Sequence, residues 1–96
     1  MAVDNALQSR REEILGIAHR YGENNVRVFG SRARGEGRPD SDIDILIAVG
    51  ERTSLLDIIA IKQDLEDLFS SSVHVVTEDA ISPYIREKVL SQAIAL

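Results

Sequence analysis

Asp42 and Asp44 stand two residues apart at the head of the apolar run Ile43-Asp44-Ile45-Leu46-Ile47-Ala48-Val49, which Gly50 closes. Side chains alternate along a strand. Residues so spaced therefore aim at one face, with Cα atoms roughly 6.5–7 Å apart, while Ile43 between them points into the core. Aspartate is disfavoured in strands, so a pair there asks for a reason. Two carboxylates aimed together repel, and burying them unpaired costs on the order of several kcal/mol. A hard divalent cation relieves that cost. Mg²⁺ takes oxygen ligands, keeps some of its waters, and is commonly held by one or two carboxylates together with substrate phosphates. The chemistry these residues point to is metal-assisted handling of a phosphate-bearing ligand.

A place for the phosphates lies upstream of Asp42, with ten residues between, at Gly30-Ser31. Gly30 lets backbone amides come close to an anion, and Ser31 offers a hydroxyl and an amide at the start of a possible helical turn. Arg32 and Arg34 add charge-assisted donors. Two metal ions between Asp42, Asp44 and a triphosphate would support in-line attack on the α-phosphate. Each signal is weak alone: a Gly-Ser turn is a common strand exit, and Asp-x-Asp is often a solvated edge. Their conjunction carries the argument, as strand, Gly-Ser, basic loop, then Asp-x-Asp entering an apolar strand.

The elements that must position these groups can be read in order. Residues 6–21 read as one amphipathic helix, with Leu7, Ile14, Leu15, Ala18 and Tyr21 inside and Arg10, Arg11, Glu12 and Glu13 on the wet side. Gly22 is its C-cap. Val26–Phe29 is a short strand ending at Gly30, and residues 30–41 form a loop. After the strand at 43–49, Ser54 caps a helix to about Phe69, with Asp57 completing a capping-box-like pair. Leu55, Ile58, Ile59, Leu65, Leu68 and Phe69 are its expected buried stripe. Val73-His74-Val75-Val76 is a third strand. Ser82 as N-cap and Pro83 at the first position then open a last helix presenting Ile85, Val89, Ile94 and Leu96. Two strands joined by a helix of this length pair in parallel through a right-handed crossover. The expected fold is α/β, one domain over residues 1–96, with a small mixed sheet covered by helices.

Composition narrows the partners. With 96 residues the core is modest, and with 4% aromatics it rests on Ile, Leu and Val. The absence of cysteine excludes disulfides and thiolate metal sites. No apolar run reaches a membrane span and no signal peptide is evident, so a cytoplasmic protein with no membrane association is expected. The net charge of −5 argues against direct nucleic-acid binding. Residues 27–38 nevertheless carry Arg27, Arg32, Arg34 and Arg38 against Glu36 alone. A basic loop on an acidic protein suits a small anionic ligand.

Gly30-Ser31, ten residues, then Asp42-x-Asp44 is a spacing by which the chain resembles the nucleotidyltransferases of the polymerase-beta superfamily. It is closest in character to their minimal group, MNT. The resemblance runs from the first helix through NVRVFGSRARGEGRPDSDIDILI to the terminal ISPYIREKVLSQAIAL. It implies a polymerase-beta-like core, Mg²⁺ (two ions) and ATP as donor, with AMP transferred to an acceptor. It implies Asp42 and Asp44 as catalytic metal ligands, and Gly30, Ser31, Arg32 and Arg34 as nucleotide-binding residues. MNT proteins are paired with HEPN-domain toxins and neutralise them by adding AMP to a tyrosine, by binding, or by both. Larger relatives add a helical domain that holds the acceptor, and none is expected here.

One position departs from the family. Relatives place a third carboxylate on the third strand, where this chain has His74. Three readings of His74 stay open: a substituted catalytic base, the mark of a site that binds nucleotide but transfers slowly, or a plain surface residue if the register differs. Imidazole can ligate a metal or take a proton, but it brings no negative charge. Two functions follow, an AMP-transferring antitoxin or an inert one that covers its toxin by contact. A stand-alone nucleotide sensor is a third. Partner contact through Ile94 and Leu96 competes with their closing the domain's own core. His19, with no acid or histidine at ligand spacing, reads as structural.

Overall fold

The computed structural model describes residues 5–23, 25–33, 42–48 and 54–96. The elements run α1 (Asn5–Ser9), α2 (Arg11–Arg20), β1 (Val26–Phe29), β2 (Ile43–Ile47), α3 (Leu55–Phe69), β3 (Val73–Thr77), a 3₁₀ turn (Glu78–Ala80), α4 (Pro83–Gln92) and β4 (Ile94–Ala95). The sheet order is β3-β2-β1-β4. β2 and β3 are parallel, as the intervening helix requires, and β1 is antiparallel to both β2 and β4. This is the small mixed α/β sheet expected.

Several local expectations hold for the stated reasons. The Ser54 hydroxyl accepts from the Asp57 N–H at 3.2 Å, and the Asp57 carboxylate accepts from the Ser54 N–H at 3.2 Å, a complete capping box. Ser82 caps α4, with Pro83 in its first turn. Gly22 has φ +85°, its N–H donates to the His19 carbonyl, and the Glu23 N–H donates to that of Ala18. Those two bonds are a Schellman close, which a left-handed glycine permits.

Other expectations need correction. The single helix over 6–21 is two, broken at Arg10, whose φ of −114° leaves the helical region. Arg10 donates to the Leu68 carbonyl at 2.7 Å and lies 5.8 Å from the Phe69 ring centroid, so it ties the break to the end of α3. Strand β2 stops at Ile47, with Ala48 outside it, while Val49 and Gly50 lie outside the described residues. In α3 the buried residues are Ile61 and Leu65, whereas Leu55 is 71% exposed and Ile59 also faces solvent. A 15-residue helix spans about 22 Å, against roughly 16 Å for a five-residue strand, so its first turn overhangs the sheet.

The last helix ends at Gln92, and Ile94 leaves it to pair with Val28 as β4. Ile94 and Leu96 thus pack against the domain's own core, and Ile85 is exposed. Nothing three or four residues away could signal this, because the partner strand lies far back in the sequence.

The core joins Leu7, Ile14 and Ala18 from the N-terminal helices to Val26, Val28, Ile43, Ile45, Ile47, Ile61, Leu65 and Val73. Tyr21 donates to Asp64 at 3.0 Å, tying α2 to α3. Ile45 sits in the central strand between Val28 and Val75. Ile45→Ala is expected to lower unfolding free energy by about 2–5 kcal/mol, read from a denaturant midpoint. A loss under about 1 kcal/mol would mean that the sheet is not the centre of the core.

Candidate functional site

Antiparallel pairing sets Phe29, the last residue of β1, opposite Asp44 on β2. The chain must then turn at Gly30, next to that carboxylate. Gly30 has φ +77°, and a Cβ there would collide with Asp44 Oδ2. Glycine is needed twice over, for the left-handed backbone and for the closeness of the acid. Ser31, Arg32 and Ala33 form the turn that follows, closed by the Ala33 N–H donating to the Gly30 carbonyl at 3.2 Å. The Gly-Ser element and the second aspartate, separate in sequence, are therefore one structure.

Parallel pairing sets His74 of β3 opposite Asp44. Its Nε2 lies 3.2 Å from Asp42 Oδ2, and both side chains are more than half exposed, 55% for His74 and 59% for Asp42. The register thus stands His74 beside the two aspartates. Asp44 is half-buried. Desolvation pushes its carboxyl above the ordinary carboxylate range, the Asp42 charge adds to that, and His74 opposes it.

Of the residues singled out from sequence, Gly30, Asp42, Asp44 and His74 come together, with Ser31 next along the turn. Arg32, the next residue of the turn, is folded into the protein, 2% exposed. Arg34 lies outside the described residues, as does the rest of the loop through 41.

Sequence reasoning overlooked Glu66. Its Oε2 accepts from the Val73 N–H at 3.1 Å and from Lys62 Nζ at 2.9 Å, so it fixes the start of β3 one residue before His74. No local pattern links a helix glutamate to a strand amide seven residues on. The Lys62 hydrogen bond, then that of Val73, holds its carboxyl below the usual range. A lowered carboxyl contributes stability above its unfolded pKa and loses it as pH falls through the folded value. Wild type should therefore melt above Glu66→Gln at neutral pH, and the gap in Tm should close on acidification. A gap that widened on acidification would show that the carboxylate is not what holds β3.

In chemistry two carboxylates, one of them half-buried and lying against the Gly30 turn, are oxygen donors of the kind that a hard divalent cation takes. Among the described residues no group of three or more His, Cys, Asp or Glu is placed to hold a metal ion. No helix of the described residues is long and apolar enough to cross a membrane.

Residues 11–96 match the family model for the nucleotidyltransferase domain. A provisionally assigned protein adenylyltransferase of Methanocaldococcus jannaschii is 37% identical over 84 residues, covering 88% of this chain and 90% of its own length. The protein adenylyltransferase MntA of Thermococcus cleftensis is 33% identical over 92 residues, 96% of this chain and 90% of the relative. A solved structure provisionally assigned as a minimal nucleotidyltransferase superposes with TM-score 0.85 at 46% identity, over 100% of this chain and 97% of the other. The fold, though not the sequence, also matches the Shewanella oneidensis MNT antitoxin complexed with a tri-AMPylated HEPN toxin, at TM-score 0.69 and 19% identity, over 92% of this chain and 69% of that one. With nearly all of its length matched by the family model, this chain belongs to the nucleotidyltransferase domain family and stands with its minimal members.

Proposed function

We propose that this protein is a nucleotidyltransferase-type antitoxin that moves AMP from ATP to a tyrosine hydroxyl of a HEPN-domain toxin. The observation that supports the reading is the close approach of Gly30 to Asp44, which sets the Gly-Ser turn against a half-buried carboxylate. The relatives that are named protein adenylyltransferases support the class of reaction. The fold shared with an antitoxin bound to an AMPylated HEPN toxin supports the partner.

In this reading Gly30 and Ser31 hold the triphosphate, while Asp42 and Asp44 hold Mg²⁺. The ion supplies charge neutralisation on the phosphates and on the departing pyrophosphate. The acceptor oxygen forms a bond to the α-phosphorus as the bond to the bridging oxygen breaks, and pyrophosphate leaves. The hydroxyl proton leaves to water at the open edge, where Asp42 and His74 are exposed. Desolvation of Asp44 strengthens its interaction with any cation placed there.

The test is direct. The protein is mixed with its HEPN partner, Mg²⁺ and ATP labelled at the α-phosphate, and the partner is analysed after denaturation. Label on a partner tyrosine is the expected result. A stable complex that binds ATP yet gains no label would reject transfer and leave an antitoxin acting by contact. One observation favours keeping that second reading: Leu56, Tyr84 and Ile85 are exposed, with Tyr84 at 97%. Apolar side chains at helix starts gain from being covered by a partner.

A further inference from the structure

The chain has two tyrosines, and their surroundings are opposite. Tyr21 is partly buried and its hydroxyl donates to Asp64, a bond that holds the phenol above its ordinary pKa. That hydroxyl is committed to joining α2 and α3. Tyr84, in the first turn of α4, is 97% exposed, so its ring and hydroxyl stand in solvent. Helix α4 buries none of its residues, and another molecule can approach it from outside. No acid stands in its first turn to repel a triphosphate, and Lys88, one turn on, is exposed as well. The edge that carries Asp42 and His74 is equally open, with both side chains more than half exposed.

Resting on the AMP-transfer reading of that edge, we propose that Tyr84 is itself an acceptor, adenylylated by a second copy of this chain. The Tyr84 oxygen bonds to the α-phosphorus of ATP as the bond from that phosphorus to the bridging oxygen breaks. Pyrophosphate leaves, and the phenolic proton passes to water. The donor is a second copy because Tyr84 lies away from the site of its own chain. His74 and Thr77 are roughly 10 Å apart along β3. The start of α4 lies past Thr77, where Arg86 donates to the Glu78 carbonyl at 2.7 Å. The rival account is that Tyr84 only packs against a docking partner, in which case it stays unmodified.

Mixing two variants tests this. Tyr84→Phe keeps the transferring site and lacks the acceptor, while Asp44→Asn keeps the acceptor and lacks a working site. Each is incubated alone with Mg²⁺ and ATP labelled at the α-phosphate, then the two together, and the label is mapped by peptide mass spectrometry. Neither alone should be labelled. Together, Asp44→Asn should gain one adenylyl group on Tyr84, at a rate that rises with the concentration of Tyr84→Phe. Because the side chain is so exposed, Tyr84→Phe should fold, and its Tm checks it. An unlabelled mixture, or label on any residue but Tyr84, overturns the proposal. Transfer from Tyr84→Phe to the HEPN partner is measured beside it. Label on that partner with none on Tyr84 leaves the AMP-transfer reading standing, and label on neither overturns both.

Discussion

Asp44→Asn is expected to cut AMP transfer by at least about 10²–10³-fold while leaving the protein folded and slightly more stable. The loss follows from removing the half-buried carboxylate that faces the Gly30 turn, to which the proposed function assigns the metal ion. The gain follows from the same burial. Desolvation raises the Asp44 pKa, so the ionised form carries a penalty in the folded protein. A group with a raised folded pKa contributes its stability below its unfolded value, 3.8, and loses it as pH climbs through the folded one.

Wild type and Asp44→Asn should accordingly melt alike in acid. The variant should pull ahead as pH rises past the carboxylate range, and the lead should then stay constant. Partial solvation of the side chain keeps that lead small, about 2–4 °C. Mg²⁺ with an ATP analogue should reverse the order by stabilising wild type alone, since only a ligand that binds the folded state raises its Tm. Melting curves across pH, with and without these ligands, read all of this. A variant less stable than wild type in the absence of ligand at neutral pH would mean that Asp44 is a structural anchor.

Gly30→Ala should damage both fold and site. The left-handed backbone at φ +77° costs an alanine about 1–2 kcal/mol, equivalent to roughly 5–15 °C in Tm for a domain of this size. The new Cβ would also push Asp44 out of place, and a displacement of about 1 Å at a reacting centre can cost 10²-fold in rate. Gly22→Ala is the matched control. Its φ is also positive, +85°, yet a Cβ there meets nothing within 4 Å. It should lose stability through the backbone alone and keep full transfer per folded molecule. Equal losses of transfer in the two variants would show that the approach of Gly30 to Asp44 has no part in function.

Local signals in the sequence proved dependable where the physics is local. The capping box of Ser54 and Asp57, the Ser82-Pro83 start of α4 and the glycine close at Gly22 each involve groups within a few residues, so backbone geometry alone decides them. Hydrophobic spacing located Ile14 and Ala18 inside α2 but misjudged α3, where it ranked Leu55 as buried. The period says which residues share a face. It does not say how far the sheet beneath extends.

The sequence by itself determined the chemistry available: two aspartates at the head of a strand, a Gly-Ser turn separated from the first of them by ten residues, and a β-α-β order that forces β2 and β3 into parallel pairing. These depend on side-chain period and crossover handedness, which hold in any context. Only the tertiary structure decided which of these groups meet. Registers between β1, β2 and β3 placed Asp44 against Gly30 and brought His74 to Asp42, 32 residues away. Long-range packing carried Glu66 to the foot of β3 and drew Ile94 out of the last helix into a fourth strand. A strand's register is set by the whole hydrophobic face that it must bury, so its consequences at the site are written nowhere in the residues nearby.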